Sequence, residues 1–151
     1  MRILIQRVLE ASVIIDKIEK SKINKGLLVL VGIENKDGEQ DIEYLTNKIA
    51  NLRVFDDEEG VMNKSVIEID GEIMLVSQFT LQANTRKGNR PSYINAAKAD
   101  ISFQLYEIFI DKLTEITQKE IKTGKFGAEM QISLINDGPV TIWIDSKNKN
   151  Y

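Results

Sequence analysis

The chain has 151 residues, 42% of them hydrophobic and 28% charged, with a net charge of −3. That balance suits one globular domain with a sizeable core and carries no overall charge that demands a nucleic-acid partner. There is no cysteine and no histidine. This excludes disulfides, thiolate zinc sites and Ser-His-Asp chemistry, removes the commonest general base, and fits a reducing cytoplasm. A magnesium site made of carboxylates alone stays open, but no metal or other cofactor is expected.

Residues 2–9 read as a strand, with Gln6 and Arg7 breaking what would otherwise be an apolar leader. Ser12-Val13-Ile14-Ile15-Asp16 is a second strand or the same one bent. Residues 26–33, an apolar run between glycines, form a buried strand. Asp37 then opens a helix, with Gln40 three residues on as an Asp-type capping box and Ile42, Leu45, Ile49 and Leu52 as its stripe. The helix should stop near Arg53, ahead of an acidic hairpin tip at 56–60. Residues 72–79 read as another buried strand after the Asp70-Gly71 turn, followed by a polar loop over 82–95. A second helix spans about 97–117, burying Ile101, Leu105, Ile108, Phe109 and Leu113. Residues 130–134 and 140–144 alternate with period two, two strands joined by a turn at Asn136-Asp137-Gly138-Pro139. The tail from Ser146 should fray. No run of about 18 apolar residues suggests a membrane span.

Four groups of residues stand out. Ser77-Gln78-Phe79-Thr80-Leu81 ends a strand with hydroxyls, an amide and backbone N–H groups that can stabilise an oxyanion without histidine. Its plainer reading is a strand end whose Ser and Thr bond locally. Gly138-Pro139 is a plain turn, or a cis bond that aims two carbonyl oxygens at an ammonium. Residues 73–99 contain no Asp or Glu but carry Arg86, Lys87, Arg90 and Lys98, with Tyr93 nearby. This is a solvated loop or a phosphate-binding one with a ring for a base to stack on. Lys119, Lys122 and Lys125 form a weaker cluster. Arg7 is either an edge charge that discourages aggregation or a brace for a carbonyl cluster or subunit contact.

Taken in order, these strings resemble the D-aminoacyl-tRNA deacylase family, also called D-tyrosyl-tRNA deacylase. The likeness runs through Met1-Arg2, Gln6-Arg7-Val8, the 26–32 strand, Asn51-Leu52-Arg53-Val54-Phe55 and Ser77-Gln78-Phe79-Thr80-Leu81. It continues through Lys87-Gly88-Asn89-Arg90-Pro91, Gly124-Lys125-Phe126-Gly127-Ala128-Glu129-Met130 and Asn136-Asp137-Gly138-Pro139-Val140-Thr141. The element order β-β-β-α-β-β-α-β-β already points to an α+β domain with a largely antiparallel sheet. Taken with the likeness, the expected fold is one domain over 1–151, a largely antiparallel or mixed sheet curled toward a barrel, two main helices, and dimerisation through the sheet.

The implied activity is hydrolysis of the ester joining a D-amino acid, or glycine, to the terminal ribose of tRNA. The implied enzyme is a cytoplasmic homodimer with active sites at the interface, with no membrane or DNA partner expected. By the same likeness, a cis Gly138-Pro139 enters the partner's site, which Ser77, Gln78, Phe79 and Thr80 line with Thr80 nearest the reacting ester, while Phe79 and the backbone N–H groups of this segment embrace the substrate. Arg7 steadies the Gly-Pro loop, and Phe126 and Met130 form the pocket wall. Arg86, Lys87 and Arg90 are the candidate tRNA contacts. Two competing readings are a non-catalytic nucleic-acid-binding module and a structural dimer.

Overall fold

A computed structural model describes residues 1–149, so the part of the tail prediction that falls on Asn150 and Tyr151 lies outside the described residues. The strands are β1 (Arg2–Ile15), β2 (Ile18–Ile23), β3 (Gly26–Gly32), β4 (Phe55–Asp56), β5 (Met62–Lys64), β6 (Glu72–Ser77), β7 (Lys122–Thr123) and β8 (Gln131–Asp145). The helices are α1 (Glu39–Asn51) and α2 (Ala99–Thr117), with a 3-10 turn at Phe79–Gln82.

The sheet is mixed and nearly closes into a barrel. β1 lies between antiparallel β8 on one side and antiparallel β3 and β2 on the other. β3 pairs with β6, and β6 with β7, in parallel. A parallel pair needs a crossover connection, which α1 and α2 provide in turn. The Ser21 hydroxyl donates to the Thr123 carbonyl at 2.7 Å, bringing β2 and β7 toward closure.

The central strands are buried on both faces, as their unbroken apolar runs require. Leu27, Val29 and Val31 of β3, with Ile73 and Leu75 of β6, pack under the helices against Ile42, Leu45, Ile49, Phe109 and Leu113. Leu28, Met74 and Val76 face the other way, onto Val8, Val13 and Ile23. Within the described residues no helix is long and apolar enough to cross a membrane.

Several local expectations need correction. The segments 2–9 and 12–16 are one strand, and 130–134 and 140–144 are also one strand. Asn136-Asp137-Gly138-Pro139 is therefore a bulge in β8 and not a hairpin turn. Val8 pairs with Asn136 and Gln6 with Thr141, so the intervening residues of β8 are thrown out of register over Arg7. β2 escaped prediction because its hairpin turn is Asp16-Lys17, both at positive φ (52° and 65°), without the glycine that usually marks such a turn.

β6 stops at Ser77, two residues short of the strand end expected at Phe79, and the chain enters the 3-10 turn instead. Gly32 makes room for the 3-10 turn. A Cβ there would lie 2.8 Å from both the Gln78 carbonyl oxygen and the Leu81 Cβ. The buried Gln82 amide then donates to the Gly32 carbonyl at 2.7 Å. On α2, Ile101 and Ile108 are exposed; the buried side is Tyr106, Phe109, Leu113 and Thr117. Apolar residues surround this helix, and the Tyr106 hydroxyl, donating to Leu75 O at 2.7 Å, identifies the inward face.

The α1 cap also differs. Gly38 is the cap residue, and Asp41, not Gln40, reaches back to accept its N–H at 3.0 Å. Asp37 turns instead to the Met1 ammonium at 2.5 Å. Ser146 accepts from that ammonium at 2.9 Å and donates to Asp41 at 2.6 Å, while Lys147 donates to Asp41 at 2.7 Å. The start of the tail is thus pinned across β1 and α1.

Burial alone would raise the Asp41 carboxyl. The bonds from Lys147, Ser146 and Gly38, with the Met1 ammonium nearby, outweigh it and hold the group below its ordinary value. A carboxylate lowered by folding adds stability above its unfolded pKa and loses it as pH falls through the folded one. The urea midpoint should therefore fall on acidification below about pH 4. Asp41→Asn should lower it at neutral pH while flattening that acid limb. Parallel pH curves for the two proteins would show that Asp41 carries none of the effect.

Candidate active site

β6, the 3-10 turn, the start of α2 and the chain leading into β8 converge on one cavity of about 430 Å³. Ser77, Gln78 and Phe79 form one side, and Phe126 and Met130 another. The closing wall was not anticipated: Ala96, Ala97, Ala99 and Ser102, small residues around the start of α2 that leave the space open. Their signal was the alanine-rich stretch before the helix, which reads equally well as helix propensity. A larger open groove of about 820 Å³ runs along α1, but its walls are helix-surface side chains such as Gln40, Asn47 and Lys48, with no convergent chemistry.

None of the residues lining the 430 Å³ cavity is ionisable. Its polar equipment consists of hydroxyls, one amide and main chain. The Gln78 side-chain amide donates to Thr80 Oγ1 at 2.5 Å, which orients a hydroxyl that sits beside the cavity without lining it. The backbone N–H groups of Phe79 and Thr80 open the 3-10 turn, where a short helix has no acceptors of its own to offer.

Behind the wall, Phe126 packs edge-on against Phe103 at 5.3 Å and tilted against Tyr106 at 5.7 Å. Burial raises the Tyr106 hydroxyl far above its usual value, so it serves as a neutral structural donor. Among the described residues no cluster of three or more acidic side chains could hold a metal.

Arg7, Gly138 and Pro139 lie apart from this cavity. Arg7 is buried, donates to the Val54 carbonyl at 2.6 Å, and lies 3.0 Å from Asp137 and 3.4 Å from Asp56. Its Nε faces Asp137 as an ion pair, but the N–H is not aimed well enough to form a hydrogen bond. The guanidinium thus sits beneath the β8 bulge, and a Cβ on Gly138 would come within 2.9 Å of its Nη2. The Gly138-Pro139 bond is cis, and both residues are exposed on the outside of the chain. Leu9, Ile135 and Trp143, apolar residues of β1 and β8, are exposed as well.

Arg86, Lys87 and Arg90 sit on the 82–95 loop and have no ion-pair partner among the described residues. The second basic cluster is largely neutralised, with Lys119 paired to Asp70 and Lys122 to Glu120.

Comparison with known proteins agrees with these features. The family described as D-Tyr-tRNA(Tyr) deacylase matches residues 4–145. A D-aminoacyl-tRNA deacylase of Bacteroides thetaiotaomicron is 61% identical over 149 residues, covering 99% of both chains. Among solved structures, one titled c-Myc DNA Unwinding Element Binding Protein superposes with a TM-score of 0.91 at 42% identity, covering 96% of this chain and 98% of its own. A probable eukaryotic D-amino acid tRNA deacylase shares the fold at TM-score 0.80 and 15% identity, over 95% of this chain and 97% of its own. With its motif strings, its cavity and these likenesses in agreement along nearly the whole length, the chain belongs to the D-Tyr-tRNA(Tyr) deacylase family, whose curated Bacteroides member is named a D-aminoacyl-tRNA deacylase.

Proposed function

We propose that this protein is a cytoplasmic hydrolase that proofreads translation by removing D-amino acids, and glycine, from tRNA. The observation that carries the proposal is the convergence of Ser77, Gln78, Phe79, Phe126 and Met130 on a cavity without ionisable groups. An aminoacyl ester is already activated, so its hydrolysis needs placement of a water and stabilisation of an oxyanion more than a strong base. The N–H groups that open the 3-10 turn are the donors, and the ribose 2′-hydroxyl of the substrate assists the proton movement. Thr80, given no base by its surroundings, positions the ester and does not attack it.

A second copy of the chain completes the site. Its exposed Gly138-Pro139 bulge, seated on Arg7, enters the cavity mouth, and its main-chain oxygens hold the substrate ammonium. The exposed apolar face of β1 and β8 supports such a dimer. With ammonium and ester both fixed, an L side chain would run into main chain, a D side chain would point to open space, and glycine would have nothing to reject. Arg86, Lys87 and Arg90 contact tRNA phosphates.

Purified protein should hydrolyse a D-aminoacyl-tRNA while sparing its L counterpart. Thr80→Ala should slow turnover by about 10- to 100-fold without abolishing it, since misplacement and not loss of a nucleophile is the expected defect. Complete loss would reopen the case for Thr80 as the nucleophile. A non-catalytic nucleic-acid-binding reading draws on the loop cations that lack an ion-pair partner among the described residues and on the name of one structural relative. Binding of tRNA or DNA without any hydrolysis would favour it.

A further inference from the structure

We propose that Tyr93, with Phe79, is a stacking platform for the unpaired base that precedes the terminal adenosine of the tRNA 3′ end. This rests on the deacylase reading and adds a recognition element to it. The two rings meet edge to face at 5.0 Å, an arrangement that leaves ring face open. Phe79 is 56% exposed and Tyr93 37%, so two aromatic side chains stand in water at the cavity rim. Phe79 itself lines that cavity.

The backbone around Tyr93 is anchored on both sides. Asn84 and Ser92 exchange backbone hydrogen bonds of 2.8 and 3.0 Å, Ala96 N–H donates to Tyr93 O at 3.0 Å, and Ala97 N–H donates to Ile33 O at 2.9 Å. The ring is therefore carried on a fixed edge. The segment closed off by the Asn84–Ser92 bridge carries Arg86, Lys87 and Arg90, and no carboxylate occurs anywhere in 73–99.

Exposed rings on and next to a loop whose cations have no ion-pair partner among the described residues are what a single-stranded polynucleotide needs: a face for the base and positive charge for its phosphates. A strand whose terminal ribose lies at the 77–80 segment has its preceding nucleotide one step outward, over Phe79 and Tyr93. The charge pattern favours this occupant over a protein surface.

The test is a binding cycle with a short RNA carrying no aminoacyl group and ending in the cytidine-cytidine-adenosine common to tRNAs. A matched strand is made abasic at the position before the adenosine. Wild type should bind the intact strand about 10-fold more tightly than the abasic one. Tyr93→Leu should bind both alike at the weaker level, and Tyr93→Trp should restore the preference. The same intact-to-abasic ratio in wild type and Tyr93→Leu would overturn the proposal. So would a shift of Tyr93→Leu toward monomer in sedimentation, which would make the ring a subunit contact. Because the cycle reads binding alone, it is separable from failure of the deacylase reading, which would appear as wild-type protein that leaves D-aminoacyl-tRNA intact.

Discussion

Gly138→Ala should lose at least about 100-fold in kcat/KM on D-aminoacyl-tRNA while remaining folded. Gly138 has a φ of +111°, a backbone region that L side chains rarely enter, and an added Cβ would lie 2.9 Å from both Arg7 Nη2 and Val140 Cγ2 and 3.2 Å from Val140 N. Arg7 cannot easily yield, because it is buried and tied to the Val54 carbonyl at 2.6 Å. The bulge must therefore move, and a shift on the order of 1 Å at a positioning element is enough for a loss of that size. The cost in stability is smaller, about 1–3 kcal/mol for the strained backbone, against a typical total of about 5–15.

Kinetics and a thermal melt on the same sample check this expectation. A melt lowered by several degrees with nearly normal kcat/KM would reduce the bulge to architecture. Mixing Gly138→Ala with a chain impaired at Phe79 adds a second reading. If each site draws its bulge from the partner, random dimers should regain activity at roughly a quarter of their sites. No recovery on mixing would mean that the bulge does not complete the neighbour's site.

Gly26→Ala should have the larger effect on the fold: loss of soluble protein, or a destabilisation above about 4 kcal/mol. A Cβ at Gly26 would sit 1.8 Å from the Glu72 carbonyl oxygen and 2.7 Å from the Glu72 carbonyl carbon and nitrogen. It would lie inside the backbone of β6. β3 cannot move away, because its other edge pairs Gly26 with Val8 of β1. β6 cannot withdraw either, because Ile73 and Met74, which follow Glu72, are buried in the core on opposite faces of the sheet. Soluble yield and a urea titration measure this directly. An unchanged midpoint would mean that the strands do not meet as closely at Gly26 and Glu72 as the fold requires. The two glycines thus separate by readout: one should abolish folding, the other should spare folding and remove turnover.

Much of the architecture is written in local patterns. The apolar run of β3 and the stripe Ile42, Leu45 and Ile49 need only neighbours in sequence to be recognised, because period and length alone separate a buried strand from an amphipathic helix. The same holds for the acidic hairpin tip, where Asp57 accepts backbone N–H groups from Glu59 and Val61. The absence of histidine and cysteine, and the strings around Ser77, Phe126 and Gly138, narrowed the chemistry before any fold was known.

Other features depended on partners distant in the chain. Asp41, not Gln40, is the capping side chain because Asp37 is drawn to the Met1 ammonium and the cap falls on Gly38, three residues before Asp41. Ser77 ends its strand because Gly32 admits the 3-10 turn. Tyr106, not Ile108, faces inward on α2 because Leu75 offers a carbonyl to its hydroxyl. Composition, periodicity and motif order determined the class of fold and the family. Which way each side chain turns, and what it meets there, is decided by packing, because contacts between residues far apart in sequence leave no periodic trace along the chain.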